Sequence, residues 1–388
     1  MKKILLFTTL FFINTSVLAL NINSQSAILY NYRDNKVLFT QNENEKRQIA
    51  SLTKIMTAIV ALENIESLDK KITLNANDFQ GLAEANLVTA GFTINQTVTY
   101  RDLLYGLLIK SGAECARGLV NNITSEEKFV DLMNAKVKQL NLTQTHFSNP
   151  IGLDDQNNYS TAKEVSEIFM YALKNKEFKK IIMTDSYKAS NGGLTIKNKI
   201  RKNETVGSYL LGGKTGTTDG AGLCLASVAQ KDDASLLLVT LGAAYDKKGP
   251  HNFEDAATIY NYYLDNYSYK NIWSKNDIIL TLKTKFLKPN KVNFYPSKTI
   301  KLYLPNNFKT QDLVYKYNGE KIVKPNMKKG HKLGKLEVFY KNEKIESEDI
   351  ILKEKPKLSG TKILNEYKYV ILCLLSYLTL ILVIRKIK

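Results

Sequence analysis

Arg47-Gln48-Ile49-Ala50-Ser51-Leu52-Thr53-Lys54-Ile55-Met56-Thr57-Ala58-Ile59-Val60-Ala61-Leu62-Glu63 is the stretch on which the reading of this chain turns. Leu52, Ile55, Met56, Ile59, Val60 and Leu62 fall at helical spacing. Ser51 stands at or just inside the N-terminus of that helix, and Lys54, three residues on, shares its face. A serine hydroxyl is a poor nucleophile until a nearby base takes its proton. A lysine becomes that base when burial or a second cation lowers its pKa. The helix N-terminus also favours negative charge developing on Ser51. By itself, however, Ser-x-x-Lys equally fits a capping serine beside a solvated lysine.

Two later stretches change the weighing. Ser111-Gly112-Ala113 follows an apolar helical pattern in 102–109. Lys214-Thr215-Gly216 precedes Gly222-Leu223-Cys224-Leu225-Ala226-Ser227-Val228-Ala229, which reads as a buried strand. The ordered set Ser-x-x-Lys, Ser-x-Asn, Lys-Thr-Gly is a signature of penicillin-binding proteins and serine β-lactamases. Here the first and third members are intact and the middle one is Ser-Gly-Ala.

Further segments carry the likeness. Ala27-Ile28-Leu29-Tyr30 with Asn35-Lys36-Val37-Leu38 resembles the opening hairpin of the D-alanyl-D-alanine carboxypeptidases, the low-molecular-mass penicillin-binding proteins. Thr99-Tyr100-Arg101-Asp102-Leu103-Leu104-Tyr105-Gly106-Leu107-Leu108 resembles that family's approach to its second motif. Phe147-Ser148-Asn149-Pro150-Ile151-Gly152-Leu153 and Tyr159-Ser160-Thr161-Ala162 resemble another of its segments. The match spans roughly residues 24–265, and more loosely the domain that follows.

The resemblance implies an α+β fold: a penicillin-binding-protein-like catalytic domain with an antiparallel sheet and helices, then a small all-β sandwich and a C-terminal membrane anchor. It also implies the chemistry. Ser51 attacks the carbonyl of a D-alanyl-D-alanine peptide and Lys54 takes its proton. Ser111 relays a proton to the leaving D-alanine. Lys214 adds positive charge and, with Thr215, receives the substrate carboxylate, beside Gly216. The oxyanion lies between the backbone N–H groups of Ser51 and Thr217. No cofactor is expected. The implied partners are peptidoglycan pentapeptide stems and β-lactam antibiotics, with membrane lipid around the anchor. Two positions depart from the family pattern: Ala113 stands for the usual Asn, and Asn252 for an Arg that helps hold the carboxylate. Lys247, Lys248 and His251 are candidate replacements for that cation.

Composition sets the outer bounds. The 388 residues suffice for two domains with accessory segments, and 44% hydrophobic content supports a proper core. Lys and Arg number 55 against 37 Asp and Glu, a formal charge of +18. No zinc-finger spacing, RNA-binding aromatic motif or helix-turn-helix pattern accompanies that charge, so nucleic acid is not an expected partner. The chain ends favour a membrane surface. Met1-Lys2-Lys3, an apolar run over 4–13 and Ser16-Val17-Leu18-Ala19 read as a signal peptide cleaved after Ala19. Cys115, Cys224 and Cys373 form no Cys-x-x-Cys pair, and His146, His251 and His331 lack metal-ligand spacing. A zinc peptidase is therefore not expected. Cys115 and Cys224 read as small buried thiols, a disulfide being the alternative in an oxidising compartment.

In chain order, 25–40 reads as a hairpin around Arg33-Asp34-Asn35. Helices are predicted over 100–109, 113–121, 126–140, 161–174 and 253–267, with strands in 193–242. The catalytic domain is placed at 20–267. From 268 to 355 apolar residues alternate with polar ones, as at Ile278, Leu280, Leu282 and at Leu336, Val338, Tyr340, which predicts a small β-sandwich with a lysine-rich outer face. A linker is read at 356–368 and a membrane anchor at 369–384. Sixteen helical residues reach roughly 24 Å, short of a hydrocarbon core of roughly 30 Å. Tyr367 and snorkelling Lys368 and Arg385 close part of the gap. The segment lacks a polar face, which favours spanning over lying in the interface. Arg385-Lys386-Ile387-Lys388 favours a cytoplasmic C-terminus, so the catalytic domain is expected on the extracytoplasmic side of the cell membrane.

The expected function is thus a membrane-anchored serine D,D-carboxypeptidase acting through a Ser51 acyl-enzyme. Two alternatives stand beside it. A β-lactamase would need a group to position its deacylating water, and no Glu-x-x-Leu-Asn lies between the second and third motifs. A penicillin-binding scaffold without efficient turnover has Ala113 in its favour.

Overall fold

Asn35 adopts a left-handed conformation (φ 51°) in the turn that joins β1 (Ser26–Asn31) to β2 (Lys36–Gln41). Asn tolerates that region better than most residues, which suits it to a hairpin turn. The computed structural model describes residues 20–387 apart from Asn191, Lys247 and Pro356; the expected signal peptide, 1–19, lies outside the described residues. The chain divides into two units between Asn266 and Tyr267.

In the first unit the hairpin leads through a 3₁₀ turn, Ala50–Leu52, into α1 (Thr53–Asn64). The sequence spacing predicts one apolar face for this helix. Instead every residue from Thr53 to Ala61 is buried, because α1 runs through the core and is covered on all sides. Lys54 is dragged inside with it. Truncating fully buried Met56 to Ala would cost about 2–5 kcal/mol.

A small hairpin of β3 (Lys71–Thr73) and β4 (Thr97–Thr99) precedes α2 (Tyr100–Tyr105). Thr99 caps α2 reciprocally: its hydroxyl accepts from Asp102 N at 3.1 Å, and the Asp102 carboxylate accepts from Thr99 N at 2.7 Å. The single helix predicted over 100–109 is in fact broken. After Tyr105 the chain widens into a π turn, Gly106–Lys110. Such turns occur frequently at functional sites. Gly106 is required there, since a Cβ would come within 2.3 Å of Cys115 Sγ.

The helices α3 (Ala113–Ile123), α4 (Glu126–Gln139), α5 (Ala162–Ala172) and α6 (Lys176–Ile182) follow, then a second small hairpin, β5 (Ser186–Lys188) with β6 (Thr195–Lys197). Three long strands complete the main sheet: β7 (Leu210–Thr218), β8 (Gly222–Lys231) and β9 (Ala234–Ala243). The sheet is antiparallel in the order β2-β1-β9-β8-β7. Residues Leu223 to Ala229 are all buried, which reflects cover on both faces. Ala226, Val228, Leu237 and Val239 join the large core around α1. Ser227, on the alternate face, meets Tyr260 of α7 (His251–Asn266), whose hydroxyl donates to the Ser227 carbonyl at 3.0 Å.

The second unit is all β up to its last helix. Its strands are β10 (Tyr267–Trp273), β11 (Leu280–Thr284), β12 (Leu287–Lys288), β13 (Lys291–Phe294), β14 (Ile300–Pro305), β15 (Leu313–Gly319), β16 (Ile322–Val323), β17 (Lys332–Tyr340), β18 (Glu343–Ile351) and β19 (Lys357–Leu358). They pair as β10-β14, β13-β11-β16, β12-β19 and β15-β17-β18. Alternation along β17 buries Leu336, Val338 and Tyr340 in one core with Trp273, Phe294 and Val323. Residues 357–368, which read as linker, carry β19 and the first turns of α8 (Gly360–Ile387). Gly360–Arg385, which contains an 18-residue stretch of mean hydropathy 2.1, is long and apolar enough to cross a membrane by length and composition.

Candidate active site

Ala50, immediately before Ser51, has φ 46°, a left-handed conformation that a residue with a Cβ seldom holds. It turns the chain sharply into α1 and presents Ser51, half-buried, at the foot of the helix. One turn on, Lys54 is 2% exposed, and its Nζ lies 2.9 Å from Ser51 Oγ. The same Nζ donates to the Ile151 carbonyl at 2.5 Å.

That carbonyl is held by a turn the sequence shows only as a family segment. Asn149 Oδ1 accepts from the backbone N–H groups of Ile151 (3.2 Å), Gly152 (2.7 Å) and Leu153 (3.0 Å). Thr57, one turn above Lys54, donates to the Pro150 carbonyl at 2.6 Å. Gly152 lies so close to Ala50 that a Cβ would fall 2.1 Å from the Ala50 carbonyl oxygen.

The second motif ends the π turn. Ser111 is also left-handed (φ 66°), so its hydroxyl leaves the helix instead of continuing along it. Lys214 on β7 reaches it: Nζ donates to Ser111 Oγ at 2.8 Å and to the Thr215 carbonyl at 2.7 Å. Strand β7 is the edge of the sheet, and it packs against the Ala50–Leu52 turn. Gly216 permits this, since a Cβ there would sit 2.8 Å from the Ile49 carbonyl oxygen and 3.1 Å from Ser51 N. Thr215 is half-buried and Thr217 exposed. Beyond them, Asp154 accepts from Thr218 Oγ1 (2.5 Å) and Gly220 N (2.9 Å), tying the end of β7 to the loop after Gly152.

Two buried amines therefore face two hydroxyls. Burial lowers the Lys54 pKa to about 7, against the opposing pull of Cys115 and Glu114. Burial also drives Lys214 well down, and the neighbouring charge of Lys54 adds to the effect. A buried amine near neutrality has a lone pair to offer, which a solvated lysine does not.

Ala113 opens α3 with a buried methyl group, its N–H donating to the Val88 carbonyl at 2.8 Å. Next to it Glu114 is fully buried and accepts from Ala90 N at 2.6 Å and Gly91 N at 3.1 Å. These bonds dock the 88–91 segment on the Ser111 turn. Asn252 is buried, its amide donating to the Cys224 carbonyl at 3.4 Å. His251 is engaged by Glu254 at 2.7 Å and Asp246 at 3.0 Å, which raise its pKa, and Lys247 lies outside the described residues. Cys115 and Cys224 are buried free thiols.

Comparison with known proteins gives this arrangement its class. The profile of the D-alanyl-D-alanine carboxypeptidase family matches residues 13–245, and that of the penicillin-binding protein 5 C-terminal domain matches 267–357. The chain belongs to the D-alanyl-D-alanine carboxypeptidase family of serine peptidases. It is 26% identical over 343 residues to D-alanyl-D-alanine carboxypeptidase DacF of Bacillus subtilis, covering 87% of each chain. The fold matches the D-alanyl-D-alanine carboxypeptidase DacD of Francisella tularensis with a TM-score of 0.70 at 22% identity, over 87% of this chain and 95% of that one. The Streptomyces K15 DD-transpeptidase matches with a TM-score of 0.58 at 28% identity, over 62% and 97%.

Proposed function

We propose that this protein is an exported, membrane-anchored serine D,D-carboxypeptidase. It removes the terminal D-alanine from peptidoglycan pentapeptide stems through a Ser51 acyl-enzyme, and penicillins acylate the same serine. The observation that carries the reading is the buried Lys54 amine 2.9 Å from Ser51 Oγ, with its pKa near 7.

The Ile151 carbonyl occupies one Lys54 N–H, which orients the lone pair of the neutral amine toward Ser51 Oγ. Lys54 takes the hydroxyl proton as Ser51 attacks the penultimate D-alanyl carbonyl. Negative charge collects on the carbonyl oxygen between the N–H groups of Ser51 and Thr217, which the close approach at Gly216 brings together. Ser111, held by Lys214, passes a proton to the departing amine. Lys214 and Thr215 receive the substrate carboxylate. That carboxylate brings a negative charge beside Lys214, which favours its ammonium form. Water then releases the shortened peptide and frees Ser51. The apolar α8 holds the enzyme at the membrane, with the basic C-terminus inside and the catalytic unit outside.

The methyl of Ala113 favours one second reading, a penicillin-binding scaffold with little turnover. Purified protein lacking 361–388, incubated with a D-Ala-D-Ala pentapeptide and assayed for free D-alanine, separates the two. Catalytic release is expected. Stoichiometric acylation by penicillin without release would support the scaffold instead.

A further inference from the structure

At the foot of α8 a cavity of about 460 Å³ is lined by Lys283, Lys285 and Lys362, by Phe286, and by one carboxylate, Glu366. The cavity is built into the join between β unit and helix. Phe286 takes a left-handed conformation (φ 58°) rare for a bulky residue, and its ring lies 5.9 Å from that of Tyr367. Lys362 donates to the Leu287 carbonyl at 2.9 Å, and Ser359 N to the Phe286 carbonyl at 2.9 Å.

The charge around this join runs against good sheet design. Lys283 stands directly across from Lys291 in the β11-β13 pair, and Lys288 directly across from Lys357 in the β12-β19 pair. Like charges directly opposed on neighbouring strands are destabilising. Among the described residues no carboxylate pairs with Lys283, Lys285, Lys288, Lys291 or Lys357, whereas Lys332 and Lys344 on β17 and β18 of the same unit have acidic partners. Of these lysines, Lys283 and Lys285 line the cavity, where an anion would supply the counter-charge they lack.

The position of the cavity identifies the anion. The apolar run of α8 starts at Tyr369, seven residues beyond Lys362, a rise of roughly 10 Å. With the helix inserted, the cavity lies at the edge of a headgroup layer roughly 5–8 Å deep, a gap that long lysine side chains cross by snorkelling. We propose that this cavity is a headgroup site for an anionic phospholipid of the leaflet that α8 enters, held by Lys283, Lys285 and Lys362. The inference rests on the membrane-anchor reading above.

Full-length protein is incorporated into nanodiscs of phosphatidylcholine alone or of phosphatidylcholine mixed with phosphatidylglycerol. Lysine acetylation rates are then read by peptide mass spectrometry, with Lys301 and Lys335 of the same unit as internal controls. Acetylation of Lys283, Lys285 and Lys362 should fall about fivefold with phosphatidylglycerol, as when bound lipid exceeds free sites by about four to one, while the controls stay unchanged. Lys283→Gln/Lys285→Gln should abolish the protection of Lys362. Inorganic phosphate added to the phosphatidylcholine discs should protect nothing; equal protection there would replace the lipid with a free anion and overturn the proposal. Uniform protection of all lysines, or none, would also overturn it. Failure of the protein to co-purify with the discs is a separate result, which would remove the anchor and this site with it.

Discussion

The two units of this chain handle charge in opposite ways. The first buries Lys54, Asp102, Glu114, Lys214 and Asp255. In the second, Ser359 is the one polar residue buried among those described, and its lysines stand on the outer face. Burying a charge is expensive unless a partner or a shifted pKa offsets the cost. The buried acids Asp102 and Asp255 are held by hydrogen bonds, Asp255 by the Asn23 and Ser24 backbone N–H groups at 2.7 Å. The lysines at the Ser51 site accommodate burial by moving toward neutrality. Chemistry resides where that cost is borne; solvated charge serves surfaces.

The largest expected effect follows from removing the proposed base. Lys54→Ala should reduce penicillin acylation about 10²–10⁴-fold. Substituting exposed Lys335 with Ala should leave it unchanged; equal losses in a stopped-flow acylation assay would erase the contrast between the units. Gly216→Ala comes next. Its Cβ would meet the Ile49 backbone at 2.8 Å and push β7 away from Ser51. Misplacement on the order of 1 Å costs about 10²-fold, so kcat/KM should fall by that much while the protein remains folded by circular dichroism.

The pH dependence sharpens the same contrast. Below about pH 7 Lys54 holds its third proton and has no lone pair to offer, so kcat/KM should fall about tenfold per unit as pH drops, and level off above it. Moving the inflection toward 10 would mean that Lys54 is solvated in solution. Its lowered pKa also carries a stability cost. The unfolded chain binds the extra proton between the folded value, about 7, and the ordinary lysine value, so this group's contribution to stability rises with pH across that window.

Much of this site was legible in the sequence because i, i+3 spacing on a helix is a strong geometric constraint, and Ser51 and Lys54 satisfy it. Lys214-Thr215-Gly216 was legible as strand chemistry ahead of an apolar run. Backbone conformation was not. Nothing in the side chains of Ala50 or Ser111 announces a left-handed residue, and the apolar pattern over 100–109 is the same whether the turn at Gly106–Lys110 is α or π. The Ile151 carbonyl was equally hidden, since main-chain groups carry no sequence signal. The nearest local signal for it is the Asn149-Pro150-Ile151-Gly152 turn, whose Asn and Gly shape the loop that presents this carbonyl. In the second unit the alternation of Leu336, Val338 and Tyr340 predicted its strand well. The join of strand to helix over 357–368 carries little sequence signal, because a polar, basic stretch following Pro356 reads as a linker.

Smaller effects remain. Ala113→Asn should raise pentapeptide turnover roughly two- to 160-fold, the worth of one restored hydrogen bond of about 0.5–3 kcal/mol. Turnover absent in the wild type but strong in the variant would make Ala113 the mark of a lost activity. Deleting 361–388 should release the protein from membranes and leave turnover of soluble pentapeptide unaltered, as centrifugation and D-alanine assay would show. A truncated protein that still sediments after a salt wash would mean that the β unit itself holds lipid strongly.

The proposed function depends on Ser51 being the group that forms the acyl bond. Intact-mass spectrometry of the protein and of Ser51→Ala after penicillin treatment tests that directly. One adduct per chain is expected on the wild type and none on the variant. An adduct of the same mass persisting on Ser51→Ala would place the nucleophile elsewhere and undo the assignment.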